Sequence, residues 1–211
     1  MKQFTADLLD TLNSRYRANL INSCTGYKSL NLIGSKAKNG CENLAIFNSV
    51  IHLGSQPALI GFTTRPLTVQ RDTYDAIKET GFFTVNQVQE SMIAKAHQTA
   101  AKYPSEVSEF KAVGLEPEYL GTQTAPFVKE SVIKFGCRYV NEYEIKENGC
   151  ILIVGAIEAL YVPEQLIEPD GWLSLSSARA ASGIGIDGYA VAENSVRYEY
   201  AKPAIEARIK R

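Results

Sequence analysis

Residues 39–86 narrow the choice of fold more than any other part of the chain. They open on Asn39-Gly40, a pair that favours left-handed backbone and predicts a type I′ hairpin turn between two extended runs, 30–35 (LNLIGS) and 44–53. After Pro57 comes an apolar run rich in β-formers, 58–64 (ALIGFTT), which ends at Arg65-Pro66 because proline cannot donate to a sheet ladder. A helix is then predicted over 73–80, with Asp72 as its cap, Asp75 in its first turn and Gly81 as the left-handed residue that ends it. Residues 82–88 (FFTVNQV) return to strand.

The flanking sequence extends this pattern. Phe4, Leu8, Leu9 and Leu12 fall at helical spacing, so one amphipathic helix is expected over 2–16, packed on the barrel or on a partner subunit. A second helical region covers 90–102, and Ser105 can cap a short helix that Gly114 closes. Two long extended stretches, 131–145 and 151–160, are joined at Glu147-Asn148-Gly149 by another tight turn. Strands outnumber helices and are joined mostly by hairpins, which favours an antiparallel barrel with packed helices over a βαβ sheet. The 211 residues read as one domain, with an N-terminal helix in 1–19 and residues 165–211 forming a lid, an arm or a subunit contact.

Composition excludes several partners. A formal net charge of −1 gives no positive field to gather nucleic acid or an anionic membrane, and no apolar run is long enough to span a bilayer. The longest apolar stretch, 150–162, contains Glu158 and stops at Pro163. Four cysteines without C-x-x-C spacing, and an N-terminus without the basic-then-apolar pattern of a signal peptide, predict a cytoplasmic protein.

The candidate chemistry centres on the helix start. Arg65, Arg71 and Thr73 surround a point where backbone N–H groups are unpaired, a favourable place for a phosphate; the alternative is that Asp72 merely caps the helix and Arg71 is solvated. Asn43, Asn48 and Ser49 could line one rim of a barrel with amides and a hydroxyl suited to a planar heteroaromatic ring, or could be ordinary solvent-facing residues. The two histidines, His52 and His97, lie 45 positions apart and form no metal motif. His97, near Lys102 and Tyr103, could hold an anion or a nicotinamide, whereas His52 reads as a satisfied barrel residue. No nucleophile elbow is present, and the glycine-rich 183–188 (GIGIDG) neither follows a βα start nor opens a helix, so it reads as a turn or lid.

Taken in order, these residues resemble the flavin reductase-like, FMN-binding split-barrel family. Residues 43–49 (NLAIFNS) with Gln56-Pro57 and the next strand are similar to that family's strand pair beneath the flavin. Residues 71–73 through 81–86 look like its helix and following strand. Ser108-Glu109-Phe110 with Gly114-Leu115, 126–131 (PFVKES) and Gly155 match further segments, so the likeness runs from about residue 20 to 189.

The resemblance implies a mainly β fold, a Greek-key split barrel with packed helices, assembled as a homodimer with FMN near the subunit interface. The residues expected at the cofactor are Asn43, Asn48, Ser49, Thr64, Arg65, Arg71, Thr73, His97, Lys102 and Tyr103, with no catalytic side chain and no metal. NADH or NADPH is the implied electron donor, and flavin or another acceptor, including an acceptor protein, the recipient. The alternatives are an FMN-binding electron carrier without nicotinamide activity and an interaction module that has lost flavin. Residues 177–189 (SARAASGIGIDGY) depart from the family's Arg-Leu-Gly-Gly-x-Tyr ending, where nicotinamide and substrate contacts are expected.

Overall fold

The computed structural model describes residues 1–210. Its centre is a seven-stranded antiparallel sheet built from β2 (Asn31–Lys36), β3 (Glu42–Phe47), β4 (Ile51–Ser55), β5 (Ala58–Thr64), β6 (Phe82–Gln87), β9 (Lys134–Ile145) and β10 (Cys150–Tyr161), in the order β3-β2-β6-β9-β10-β5-β4. β3 and β4 are the two edges of this sheet, yet only Asn48, Ser49 and Val50 separate them in the chain. Three residues reach roughly 10 Å, far less than the width of seven flat strands at about 4.8 Å spacing, so the sheet must curl until its edges approach. That link makes the barrel, and it breaks the extended run expected over 44–53 into two strands.

The smaller elements are β1 (Lys28–Ser29), paired with β11 (Ala181–Ile184) and through it with β12 (Gly188–Val191), and the two-residue strands β7 (Pro117–Glu118) and β8 (Phe127–Val128). The helices are α1 (Ala6–Thr11), α2 (Ser14–Cys24), α3 (Asp72–Thr80), α4 (Ile93–Gln98) and α5 (Glu109–Val113). β2 shows why its sequence lacks polar alternation: it is buried on both faces. Ile33 points into the barrel with Ile60, Phe62, Phe83, Val85 and Ile153, where Ile77 of α3 packs. Leu32 points the other way, into a second core with Leu44, Met92, Ala96 and Phe110 beneath α4 and α5.

Inside the barrel Phe62 meets Phe47 and Phe83 edge-on, with ring centroids 5.0 and 5.5 Å apart. Gly155 is needed here because a Cβ would lie 2.4 Å from Cζ of Phe83.

Both Asn-Gly turns close hairpins, but neither is type I′, which needs φ > 0 at both central residues. Gly40 and Gly149 are left-handed at φ 89° and 71°, whereas Asn39 and Asn148 keep negative φ. Each asparagine instead uses Oδ1 to accept the backbone N–H of the cysteine two residues on, Cys41 or Cys150, at 2.9 Å. The chain thus makes the same Asn-Gly-Cys turn twice.

Other local expectations shift by a few residues. The N-terminal stretch is two helices, because Asn13 caps α2 by accepting from Arg15 and Tyr16, and neither helix contains a buried residue. Arg71 occupies the N-cap position of α3, so Asp72 is its first residue and its carboxylate accepts from Gln70 instead. Ser108, not Ser105, precedes α5. The strand expected from residue 131 begins at Lys134. His52 lies outside the barrel, exposed on edge strand β4 with Ser55 as its partner at 3.1 Å. No helix among the described residues is long and apolar enough to cross a membrane.

Candidate functional site

The starts of β3, α3 and α5 meet at one seam. Asn43 on β3 donates through Nδ2 to Thr73 Oγ1 of α3 at 2.9 Å and to Ser35 Oγ of β2 at 3.1 Å, so two residues thirty positions apart are held as a pair. Next to them the Leu44 N–H donates to Glu109 Oε2 of α5 at 3.0 Å, and Cys41 Sγ donates to the Ser105 carbonyl at 3.3 Å. The second contact brings the loop that carries Lys102 and Tyr103 up to the β2–β3 turn.

Charge at the seam is mixed. Burial, then the nearby Asp72 carboxylate, push Glu109 above the usual carboxylate range, against the opposing hydrogen bonds from Leu44 and its own N–H. Burial and the carboxylates of Glu109, Asp72, Glu42 and Glu106 likewise raise the Cys41 thiol, which keeps it protonated and a poor nucleophile. Arg71 is half-buried: Nη2 donates to the Pro66 carbonyl at 3.4 Å, while Nε is buried with no partner. Ser108 Oγ, at the start of α5, is a second buried polar atom without a partner. A buried donor left unpaired costs about 1–3 kcal/mol, so both mark places where a polar ligand would repay its binding.

Further along the β3–β4 link, Ser49 Oγ donates to the Thr63 carbonyl and accepts the Thr63 N–H, each at 3.1 Å, which ties the link to β5 just before the buried Thr64. Asn48 faces away from this seam, donating to the Gly185 carbonyl in the β11–β12 turn at 3.1 Å. His97 of α4 meets Tyr189 of β12, Nδ1 to hydroxyl at 2.7 Å with the rings edge to face. Arg65 and Lys102 are exposed, and Tyr103 is half-buried with its hydroxyl accepting from Gln98 at 3.2 Å.

Seven of the ten expected residues therefore fall into two groups. Asn43, Arg71 and Thr73 gather at the seam, with Ser49 on the β3–β4 link and Thr64 at the end of β5, while Asn48 and His97 sit against the β11–β12 hairpin. Glu109, Ser108 and Tyr189 also belong to these groups and were not singled out from sequence as site residues. The signal for Glu109 was its acid at the first position of a short helix closed by Gly114, a pattern that also reads as ordinary capping. A recess of about 480 Å³ between Glu118, Lys134 and Tyr161 contains none of the ten.

Comparison with known proteins converges on one family. The profile of the flavin reductase like domain matches residues 28–175. A crystal structure of a flavin reductase candidate with a split barrel domain from Shewanella frigidimarina is 39% identical, covers 95% of this chain and 100% of its own, and superposes with a TM-score of 0.91. Nitrilotriacetate monooxygenase component B from Bacillus cereus shares the fold at 23% identity, over 92% of this chain and 97% of its own, with a TM-score of 0.82. An uncharacterized protein of Aquifex aeolicus is 30% identical over 118 residues, 54% of this chain and 60% of its own. The chain spans under two thirds of the first two curated relatives that it matches, 60% and 65% of their lengths.

Proposed function

The chain belongs to the flavin reductase-like family, and on that premise we propose that it is an FMN-dependent oxidoreductase that oxidises NADH or NADPH and passes electrons to flavin or another acceptor. One observation carries this reading: Arg71 Nε is buried without a partner at the start of α3, beside the bonded pair Asn43 and Thr73. A guanidinium N–H and the first backbone N–H groups of a helix are the donor set that a dianionic phosphate takes.

The residues fit FMN in kind. Arg71 and Thr73, with exposed Arg65 and Lys102 able to approach, would hold the phosphate; Thr64, Ser49 and the β3–β4 link would face the ring, and Tyr103 would border the phosphate side. Asp72 and Glu109 oppose an anion here, an effect that the raised proton affinity of Glu109 lessens. When bound, the flavin supplies the hydride chemistry, so the protein needs to bind, orient and exclude water rather than provide an acid or base.

The whole described chain is read as one domain working as a homodimer in the cytoplasm. In support, neither α1 nor α2 buries a residue, and Leu8, Tyr16, Ile21 and Tyr27 stand exposed with Val196, Tyr198 and Tyr200. A second copy packed on these side chains would take them out of water.

A second reading, an FMN-binding electron carrier without nicotinamide activity, is favoured by one detail. Arg179 is the sole arginine in 177–189, and it is engaged by Glu90 through Nε at 2.9 Å and Nη2 at 2.6 Å instead of standing free for a nicotinamide dinucleotide. Titration of the purified protein with FMN, followed by anaerobic mixing with each nicotinamide, tests both. Arg71→Ala is expected to weaken FMN binding by about 1.5–3 kcal/mol. Fast bleaching of the bound flavin by NADH or NADPH supports the reductase; tight FMN binding with slow bleaching leaves the carrier; no FMN binding by the wild type overturns both.

A further inference from the structure

The Gly-Ile-Gly-Ile-Asp-Gly run at 183–188 forms the end of the β11–β12 hairpin, and its glycines are where the hairpin presses on neighbours. A Cβ at Gly183 would lie 3.2 Å from Asn48 Cβ, and one at Gly185, where φ is 61°, would lie 2.8 Å from Ser23 Oγ of α2. Two side chains at its turn end tie the hairpin to α2 and α4. Arg15 of α2 pairs with Asp187 in the turn at 3.2 Å, and Tyr189, the cross-strand partner of Gly183, bonds His97 at 2.7 Å.

This close packing fixes the amide of Asn48. The Gly185 carbonyl can only accept, so the group it meets at 3.1 Å must be the Asn48 NH₂, and the amide cannot be turned around without losing that bond. Oδ1 is consequently the atom on the other side, and among the described residues no group donates to it; Asn48 is also partly exposed.

We propose that Asn48 is a specificity-determining residue whose Oδ1 accepts an N–H from the edge of a planar ligand. The chemistry it selects is an imide or carboxamide N–H, and a ligand edge presenting only carbonyl oxygens is turned away. Two sources carry such a group, the imide of a flavin ring and the carboxamide of a nicotinamide. The inference rests on the flavin reading above and adds to it which ligand atom is read and what holds the reader in place.

Paired ligands on paired proteins test it. Wild type and Asn48→Ala, checked for folding by circular dichroism, are titrated with FMN and with FMN methylated at the imide nitrogen. They are also assayed with NADH and with its nicotinic acid analogue, in which a carboxylate replaces the carboxamide. If the flavin imide is read, wild type prefers FMN to its methylated form by about tenfold and Asn48→Ala binds the two alike. If the carboxamide is read, the flavin ratio is the same in both proteins, and the KM preference for NADH is what collapses in the variant. Asn48→Asp keeps an acceptor but loses the NH₂ that the Gly185 carbonyl holds, so it is expected to weaken whichever preference the wild type shows. Wild type that binds FMN but shows neither preference overturns the inference alone, whatever the variants do, as do preferences that Asn48→Ala leaves intact. Wild type that binds neither flavin overturns the flavin reading and the inference with it.

Discussion

The wall of the barrel and the segment after β12 are held in opposite ways. In the wall, the fully buried Asn86 and Thr84 are matched by other protein groups: Asn86 donates to the Leu32 carbonyl and to Thr84 Oγ1 and accepts the Val128 N–H, while Thr84 donates to the Pro126 carbonyl at 2.6 Å. Residues 192–210 contain no regular strand or helix, and exposed ions fasten them: Asp170 takes Arg197 and Lys210, and Arg197 lies 4.7 Å from the Trp172 ring centre. Burial makes the first arrangement intolerant of any change in shape, whereas water and salt can replace most of what holds the second. Location, more than the number of contacts, thus decides what each contact is worth.

The contrast is sharpest at Gly34 on β2. A Cβ there would fall 2.2 Å from the Pro126 carbonyl oxygen and 2.6 Å from Thr84 Oγ1, so any side chain must displace a backbone segment and break the Thr84 bond. Gly34→Val is expected to cost about 3–5 kcal/mol in urea unfolding, the sum of overpacking and a lost buried hydrogen bond. A loss below about 1 kcal/mol would mean that the wall yields as easily as the arm, and the comparison would collapse.

Legibility from sequence follows the same division. The strands of the wall were readable because β-rich runs such as 58–64 and 82–87 are bounded by proline, glycine or charged residues that physically end a strand. Turn type was less readable, since Asn-Gly supports both a type I′ turn and the looser one found at 39–41, and the choice depends on where Asn39 Oδ1 finds a donor. Arg71 and Thr73 were found at the helix start, and Asn43 was found on its strand, but the bond between Asn43 and Thr73 is a product of the barrel closing. Glu109 and Tyr189 escaped selection for the same reason: what makes them notable is the partner across space, Leu44 or His97, and no spacing rule carries that information.

The seam around Glu109 lies between the two extremes, and pH is the way to place it. Because burial raises the native pKa of Glu109, the native state binds its proton more tightly than the unfolded chain does. Its contribution is therefore fully present below the ordinary glutamate range of about 4.3 and is lost as pH rises through the raised value. Glu109→Gln keeps an oxygen for the Leu44 N–H and removes the titration, so its stability relative to wild type should increase as pH rises from about 4 to 7. Urea midpoints measured at several pH values check this, and a constant difference between the two proteins would show that the carboxyl behaves as if exposed.

The smallest effect is expected at the clasp of the C-terminal arm. Arg197 and Lys210, hydrogen-bonded to Asp170, hold that carboxyl well below its usual range, so the fastening is complete at neutral pH and fades only as pH falls below about 4. Solvent reaches all three groups, which limits what the pairing adds to global stability. Asp170→Asn should move the thermal midpoint by no more than about 1 °C. Local protection is where the change should be visible, because an arm that loses its clasp opens without unfolding the barrel. Limited proteolysis should cut within residues 192–210 faster in Asp170→Asn than in wild type at low salt, and the difference should shrink as added salt screens the wild-type clasp. A large drop in midpoint would place the arm in the same cooperative unit as the wall, and the contrast between them would then be one of appearance only.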